Sequence, residues 1–214
     1  MMKLFDYYRS SASYRVRIAL QYKKIDCDYE HIHLIENEGE QFTEDYCQKN
    51  SQQLVPILQV GQQYINQSLA ILEYLEGEFP QRPLLPKNPL KAAKVRAFVL
   101  ELACEVHPLN NLRVLKFLKN DLSLKEPQKI QWYHHWLDLG FTSLTQKMSQ
   151  GPFCFGEKPS WADLFLIPQV YNAKRFEFDM TRFPQLEAIY NHCMQQEYFS
   201  MASPEERLKA VNSL

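Results

Sequence analysis

Two adjacent hydroxyl side chains, Ser10 and Ser11, lie where an apolar, aromatic segment gives way to a basic, apolar-rich one. A serine nucleophile normally comes with a base and a Gly-x-Ser-x-Gly turn, and this stretch has neither. At the start of a helix, unpaired backbone N–H groups and the helix dipole favour an anion. A hydroxyl placed there donates to a thiolate and lowers the pKa of the thiol. Because the chain has no cysteine at this point, the thiolate would arrive on a ligand.

Two further segments bear on the simpler alternative, in which one serine only caps a helix. "LVPIL" places Val55 and Pro56 directly before a strand, where a cis-proline leaves the preceding backbone free to pair with an extended peptide. Gln67 and Ser68 open a predicted helix, where an amide, a hydroxyl and backbone N–H groups suit a carboxylate. Together with the serine pair, these segments predict three contacts for a small thiol peptide.

The composition is that of an ordinary soluble globular protein. The 214 residues are 45% hydrophobic and 23% charged, with a net charge of -1, which allows one large domain or two small ones. No basic face indicates nucleic-acid binding, and no apolar run is long enough for a membrane span. The first residues lack the pattern of a signal peptide. Five scattered cysteines without a C-x-x-C pair predict buried thiols in a reducing, cytoplasmic compartment.

Metal binding is not predicted. His31 and His33 share one face of a predicted strand, but no cysteine or carboxylate in the pattern completes a metal site. We therefore interpret this pair as part of a solvated strand face.

The first eighty residues alternate between strand and helix patterns. The expected order is βαβ followed by αββα, which gives a small mixed sheet with a tight hairpin around Gly61-Gln62. The predicted elements are strand Lys3–Tyr8, helix Ser13–Lys24, strand Tyr29–Leu34, helix Glu40–Lys49, strands Leu54–Val60 and Gln63–Ile65, and helix Ser68–Glu78.

A proline-rich segment separates this region from a helical one. "EFPQRPLLPKNPL" contains four prolines, so it is expected to be an extended linker and not a helix. Beyond it we predict a helix over Leu90–Leu118 that Pro108 bends or breaks, and another over Glu126–Ser149. Ser160 and Asp163 form a capping box before helix Leu164–Asn172. An apolar stripe on the second helix is interpreted as core, and consists of Trp132, Trp136, Leu137, Phe141 and Leu144.

The chain resembles the zeta class of glutathione transferases, and more narrowly the bacterial maleylacetoacetate isomerases. The resemblance extends over nearly the whole chain and is carried by "RSSASYRVRIAL", "LVPIL", "QSLAILEYLE", "HPLNNLRVLKFL", "SWADLFLIPQVYNAKRF" and "FPQLEAI". It implies a thioredoxin-like α/β domain over 1–80, a linker over 81–89 and an all-α domain over 90–214. The zeta signature is usually Ser-Ser-Cys, whereas this chain has Ala12 in the third position. No chemistry is therefore expected from a cysteine there.

The resemblance also implies a role for each matching residue. Ser10 and Ser11 would contact the glutathione sulfur, with Ser10 the stronger candidate. Further contacts with glutathione are implied for Gln41 at the glycine end, Val55 through its backbone, Gln67 and Ser68 at the γ-glutamyl carboxylate, and His107 and Asn111 from the helical half.

Arginines are the implied substrate contacts. Arg9 and Arg175 would face the carboxylates of the substrate, and Arg113 is a weaker candidate for the same role. A diacid needs fixed donors, and the planar guanidinium offers two parallel ones. From the residues alone, Arg175 fits a surface charge at the end of a helix equally well.

The implied activity is glutathione-dependent cis–trans isomerisation of maleylacetoacetate to fumarylacetoacetate, in tyrosine and phenylalanine degradation, with a possible side activity as a transferase. Maleylpyruvate isomerase and a non-catalytic glutathione-transferase-like binding protein remain as alternatives. The family also implies a homodimer.

Overall fold

A computed structural model describes residues 1–213, which form two compact units. The first unit joins Met1–Pro83 to Met194–Leu214, and the second is Leu84–Cys193. This division differs from the predicted domains 1–80 and 90–214, because the last twenty or so residues group with the first unit and not with the other helices.

The first unit is built on a four-stranded sheet with the order β2-β1-β3-β4. Strand β1 runs parallel to β2 and antiparallel to β3, and β3 pairs antiparallel with β4. This is the predicted thioredoxin-like arrangement, with the hairpin turn at Gly61-Gln62. The elements are β1 Met2–Asp6, α1 Ser11–Lys23, β2 Asp28–His31, α2 Glu44–Lys49, β3 Ile57–Val60, β4 Gln63–Asn66 and α3 Ser68–Glu78.

Several element boundaries differ from the predictions, among them the first residues of β1 and β3, and three of the differences have clear local reasons. Helix α1 begins at Ser11 and not at Ser13, because Ser10 caps it. The predicted helix Glu40–Lys49 divides into a short 3₁₀ turn and α2, since the Thr43 hydroxyl accepts a hydrogen bond from a backbone N–H and starts a new helix. Strand β2 stops at His31, where its pairing with β1 ends.

The C-terminal segment packs on the first unit through buried hydrogen bonds and ion pairs. It contains the short helices α9, Glu197–Ser200, and α10, Pro204–Asn212. Arg17 on α1 donates to the carbonyl of Ala202 (2.8 Å) and to Asp6 (2.8 Å), and Asp6 also accepts from Arg207 on α10 (2.8 Å). Asp6 is fully buried, so the two guanidinium groups compensate its charge inside the unit.

The second unit is helical. As predicted, the chain breaks near Pro108, where a π-helix and a 3₁₀ turn separate two α-helices. The linker prediction was wrong at Pro89, which begins α4, because the first helical position needs no N–H donor. The elements are α4 Pro89–Leu100, the π-helix Glu101–Val106, the 3₁₀ turn Pro108–Asn110, α5 Leu112–Asn120, α6 Glu126–Thr145, α7 Trp161–Arg175 and α8 Pro184–Met194.

Helix α6 supplies much of the core of this unit, although not with every predicted residue. Leu137, Phe141 and Leu144 are fully buried, as the stripe predicted, and so is Tyr133. The two predicted tryptophans of this helix are only half-buried. The helix packs closely on the π-helix at Gly140, where a Cβ would lie 2.3 Å from Val106.

The predicted capping box at the start of α7 is confirmed. Ser160 N–H and Cys154 N–H donate to the Asp163 carboxylate at 2.8 and 2.7 Å. Burial raises the pKa of Asp163, and these hydrogen bonds oppose the shift. Of the helices in the described part of the chain, none is both long and apolar enough to cross a membrane.

Candidate functional site

Ser10 and Ser11 lie at the amino end of α1. Ser10 is the N-cap, and its Oγ accepts a hydrogen bond from Ser13 N–H at 3.2 Å. Ser11 is the first helical residue and is buried. The capping interpretation of Ser10 is therefore confirmed, but it uses only an acceptor position of the hydroxyl. The hydroxyl proton is chemically separate from this bond, so capping is compatible with donation to a thiolate.

Arg9 precedes the serine pair and contacts two tyrosines. Its Nη2 donates to the hydroxyl of Tyr7 at 3.1 Å. Its guanidinium carbon lies 5.0 Å from the centre of the Tyr8 ring, which is the geometry of a cation–π contact. Tyr7 was missed in the sequence, where an aromatic residue at the end of a strand indicates only core packing.

The histidine pair was misinterpreted as part of a solvated face. The rings of His31 and His33 lie 5.7 and 5.3 Å from the ring of Tyr7, and both side chains are half-buried. Burial accordingly lowers the pKa of His31. The cause is the Tyr7-Tyr8 pair after β1, which covers this face. Within residues 1–213, no group of three or more His, Cys, Asp or Glu side chains could hold a metal ion.

The second predicted segment lies at the start of β3. The Val55–Pro56 peptide bond is cis, as the motif suggested. Val55 is nearly buried and belongs to the apolar cluster that also contains Phe5 and Tyr7.

The third segment places a serine over a buried cation. Helix α3 begins at Ser68, as predicted, and the Ser68 side chain is buried. Its Oγ accepts a hydrogen bond from Nη1 of Arg15 at 3.2 Å. Burial lowers the pKa of Arg15 to about 9, so its guanidinium stays charged at neutral pH. Gln67 is exposed, has a positive φ of 67° and donates to Gln52 at 2.8 Å.

Arg15 was not among the predicted site residues. A helix N-terminus, a serine hydroxyl and a buried guanidinium meet at Ser68, and all three favour an anion. The available signal was a charged residue on the same apolar helix as the serine pair, in "SYRVRIAL".

Gln41 is buried in the 3₁₀ turn that precedes α2. Its Nε2 lies 3.5 Å from the carbonyl of Leu34, and its Oε1 has no hydrogen-bond partner among the described residues. Gly39 makes room for this side chain, because a Cβ there would lie 2.6 Å from Nε2 of Gln41. A buried amide oxygen without a partner suits a donor on a ligand.

The remaining predicted residues belong to the second unit. His107 is half-buried between the π-helix and the 3₁₀ turn. Asn111 caps α5, and its Oδ1 accepts from the backbone N–H of Arg113 at 3.2 Å. The side chain of Arg113 is exposed. Arg175 is the last residue of α7, where its exposed guanidinium lies 4.8 Å from the ring centre of Phe176 and 3.3 Å from Oδ1 of Asn172.

Tyr133 connects two of these positions within the second unit. Its ring stacks on Phe176, next to Arg175, with 4.0 Å between centroids. Its carbonyl accepts from Nδ2 of Asn110, which lies one residue before Asn111. The positive charge of Arg175 lowers the pKa of Tyr133, although burial dominates and raises it. Tyr133 on α6 thus contacts both the end of α7 and the turn before α5, a role that an aromatic residue in a helical pattern does not indicate.

The resemblance implies that Ser68 contacts a carboxylate of glutathione, and for that role we expect Ser68→Ala to lose glutathione affinity. The change would remove the charge-assisted hydrogen bond between the Ser68 hydroxyl and that carboxylate, worth about 1.5–3 kcal/mol, so affinity should fall roughly tenfold or more. Calorimetric titration with glutathione measures this directly.

Ser203→Ala is the matched control for that experiment. Ser203 is the N-cap of α10 in the same unit and accepts from Glu206 N–H at 3.3 Å. Its loss should lower the melting temperature without weakening glutathione binding. Unchanged affinity in Ser68→Ala would remove Ser68 from the site.

Comparison with known proteins places this arrangement in context. The family model for the N-terminal domain of glutathione S-transferase matches residues 1–77. A probable maleylacetoacetate isomerase of Vibrio cholerae is 40% identical over 206 residues, covering 95% of this chain and 96% of the relative.

Solved structures extend the similarity to the whole fold. The holo structure of maleyl pyruvate isomerase, a bacterial zeta-class glutathione transferase, has a TM-score of 0.90 and 35% identity, covering 94% of this chain and 96% of the other. A maleylacetoacetate isomerase of Methylobacterium extorquens AM1 with bound malonate and glutathione has a TM-score of 0.88 and 32% identity, covering 94% and 96%.

Proposed function

Since the chain belongs to the zeta class of the glutathione transferase family, we propose that it converts maleylacetoacetate to fumarylacetoacetate by glutathione-dependent cis–trans isomerisation. The observation that carries the proposal is the pair of helix starts in the first unit. Ser10 opens α1 and Ser68 opens α3, and these two helices pack on each other. Two anion-favouring positions in one unit match a ligand with a thiolate and a carboxylate.

The residues of the first unit fit glutathione, which has a thiol and two carboxylates. Ser68, backed by the buried charge of Arg15, suits the γ-glutamyl carboxylate. The partnerless Oε1 of Gln41 suits a donor near the glycine end. Val55 is assigned a backbone pair with the peptide, and Gln67 a side-chain contact next to Ser68. His107 and Asn111 are assigned further contacts with the bound peptide.

Glutathione, when bound, supplies the thiolate that adds reversibly to the double bond of the substrate and so permits rotation. The hydroxyl of Ser10 donates to that sulfur, with Ser11 as the second candidate, and the N–H groups at the start of α1 add favourable potential. These groups lower the pKa of the thiol, so that the nucleophile is ionised at neutral pH.

Arginines hold the substrate. Arg9 and Arg175 are assigned to its carboxylates, with Arg113 as the weaker candidate, because each guanidinium offers bidentate donors to a planar anion. Charge that develops on the substrate during the reaction is stabilised by the same fixed cations. A neutral electrophile would not need them.

Maleylpyruvate is the second candidate substrate, because a structure with a TM-score of 0.90 carries the name maleyl pyruvate isomerase. The decisive experiment offers both diacids side by side, with and without glutathione, and follows the cis isomer spectroscopically. Faster turnover of maleylacetoacetate would support the proposal. Faster turnover of maleylpyruvate would identify maleylpyruvate as the substrate instead. Turnover of neither, with glutathione still bound, would favour a non-catalytic binding protein.

The same proposal includes a homodimer that acts in the cytoplasm during tyrosine and phenylalanine degradation. Its support is the family and, for the compartment, five cysteines that are all free thiols. Sedimentation analysis at micromolar concentration tests the dimer. Accumulation of maleylacetoacetate after gene deletion tests the pathway.

A further inference from the structure

The ring of Tyr7 is fixed in place by packing. Tyr7 is the first residue after β1. It is buried and belongs to an apolar cluster with Phe5, Tyr46 and Val55. The ring also lies beside three other aromatic rings, at centroid distances of 4.7 Å from Tyr8, 5.7 Å from His31 and 5.3 Å from His33. The hydroxyl at the end of this ring is consequently a hydrogen-bonding group with a defined position.

This hydroxyl accepts a hydrogen bond from Arg9. The Nη2 atom of Arg9 lies 3.1 Å from the Tyr7 oxygen, and the guanidinium carbon lies 5.0 Å from the centre of the Tyr8 ring. Arginine side chains are long and lose considerable conformational entropy when they are immobilised. Two contacts with rigid aromatic side chains therefore prepare the orientation of Arg9 before any substrate binds.

A phenol orients a guanidinium without neutralising it. Burial raises the pKa of Tyr7 above its ordinary value, although Arg9 opposes the shift, so the phenol is neutral at neutral pH. A carboxylate in the same place would also hold Arg9, but it would cancel the charge that a substrate anion needs. The tyrosine supplies orientation alone.

We propose that Tyr7 is a positioning residue for the isomerisation, whose hydroxyl holds the Arg9 guanidinium in the orientation that a carboxylate of the substrate requires, without itself adding a negative charge. The inference rests on the proposed function, in which Arg9 contacts the diacid.

Tyr7→Phe isolates the hydroxyl, because the ring and its packing remain. For the diacid we expect KM to rise about tenfold, the scale of a hydrogen bond to a charged group, with a smaller change in kcat. Conjugation of glutathione to a neutral aryl halide should be nearly unchanged. Succinate, a dicarboxylate that cannot react, should bind about tenfold more weakly to the variant than to the wild type.

Tyr14→Phe is the matched control. Tyr14 is also a buried tyrosine of the first unit, and its hydroxyl donates to the carbonyl of Phe199 at 3.1 Å. If its loss reduces activity through stability, both reactions should fall by the same factor. A purely structural role for Tyr7 would give that same equal fall, and would overturn the proposal.

A double-mutant cycle with Arg9→Ala tests whether Tyr7 acts through Arg9. In the Arg9→Ala background, Tyr7→Phe should cause no further loss of succinate affinity. Independent losses in the two variants would contradict the proposal. Succinate binding also separates this inference from the proposed function, because it can be measured even if neither cis-diacid is isomerised. Equal succinate affinity in the wild type and Tyr7→Phe, or no binding to either, would refute the role of Tyr7.

Discussion

Ser10→Ala is expected to lower isomerase turnover at neutral pH by about a hundredfold or more, the scale observed when one donor to a developing or bound anion is lost. The pKa of bound glutathione should rise, because the sulfur would lose the hydroxyl donor that we propose for it at the start of α1. Glutathione affinity should fall much less than turnover, since the contact between Ser68 and Arg15, which we propose for the carboxylate end of glutathione, is unchanged in this variant. Thiolate absorbance as a function of pH, combined with initial rates, measures both effects.

The capping role of Ser10 requires a variant that separates catalysis from stability. Alanine removes the bond from Ser13 N–H as well as the donor, and loss of an N-cap costs about 1 kcal/mol. Ser10→Asp keeps a good N-cap but has no proton to donate at neutral pH, and its charge repels a thiolate. It should therefore be as stable as the wild type and at least as inactive as Ser10→Ala. If Ser10→Ala kept nearly wild-type turnover and Ser11→Ala were inactive, Ser11 and not Ser10 would be the donor to the thiolate.

Arg175→Ala should reduce diacid isomerisation roughly ten- to a hundredfold more than conjugation of a neutral aryl halide, from a lost charged hydrogen bond of about 1.5–3 kcal/mol. Both reactions need the thiolate, but only the diacid needs a cation for its carboxylate. Arg175→Lys should recover part of the loss, because an ammonium group cannot reproduce the bidentate geometry. Both rates should be measured on the same preparation of each variant.

Arg182→Ala provides the control for removing an exposed arginine. Arg182 also belongs to the second unit and lies over a phenylalanine ring, with its guanidinium carbon 5.5 Å from the centre of Phe183. It pairs with Asp138, so its charge is already compensated. We expect equal, small changes in its two activities. An equal fall of both reactions in Arg175→Ala would mean that Arg175 supports the structure or glutathione, and the diacid assignment would then depend on Arg9.

The sequence predicted the first unit well where local signals agree. Helix α3 begins at Ser68 and ends at Glu78, as predicted. The hairpin before it limits where the helix can start, and the apolar helical pattern indicates how far it extends. The start of α1 was less well defined, since Ser10, Ser11 and Ser13 can all cap a helix. Only the backbone conformation of Ser10, with ψ near 119°, selects one of them.

The site is less predictable than the fold, since its buried charges depend on packing between distant segments. Ser68 and Arg15 are 53 residues apart in the sequence, and the buried pair Asp6 and Arg207, which belongs to the core of the same unit, is 201 residues apart. A motif identifies the serine, but nothing local shows that a guanidinium lies behind it. The contact of Arg9 with Tyr7 spans only two residues, yet the ring orientation depends on the sheet and on the two histidines.

The arrangement of the first unit has a consequence for biosynthesis. Its buried carboxylate, Asp6, is compensated by Arg17 early in the chain and by Arg207 only after the whole second unit has been translated. Domains usually fold in the order in which they leave the ribosome. Here the unit that is synthesised first is completed last, because its four strands and α1 emerge before the segment that carries Ala202 and Arg207. Premature termination before α10 would thus damage the half that emerged first.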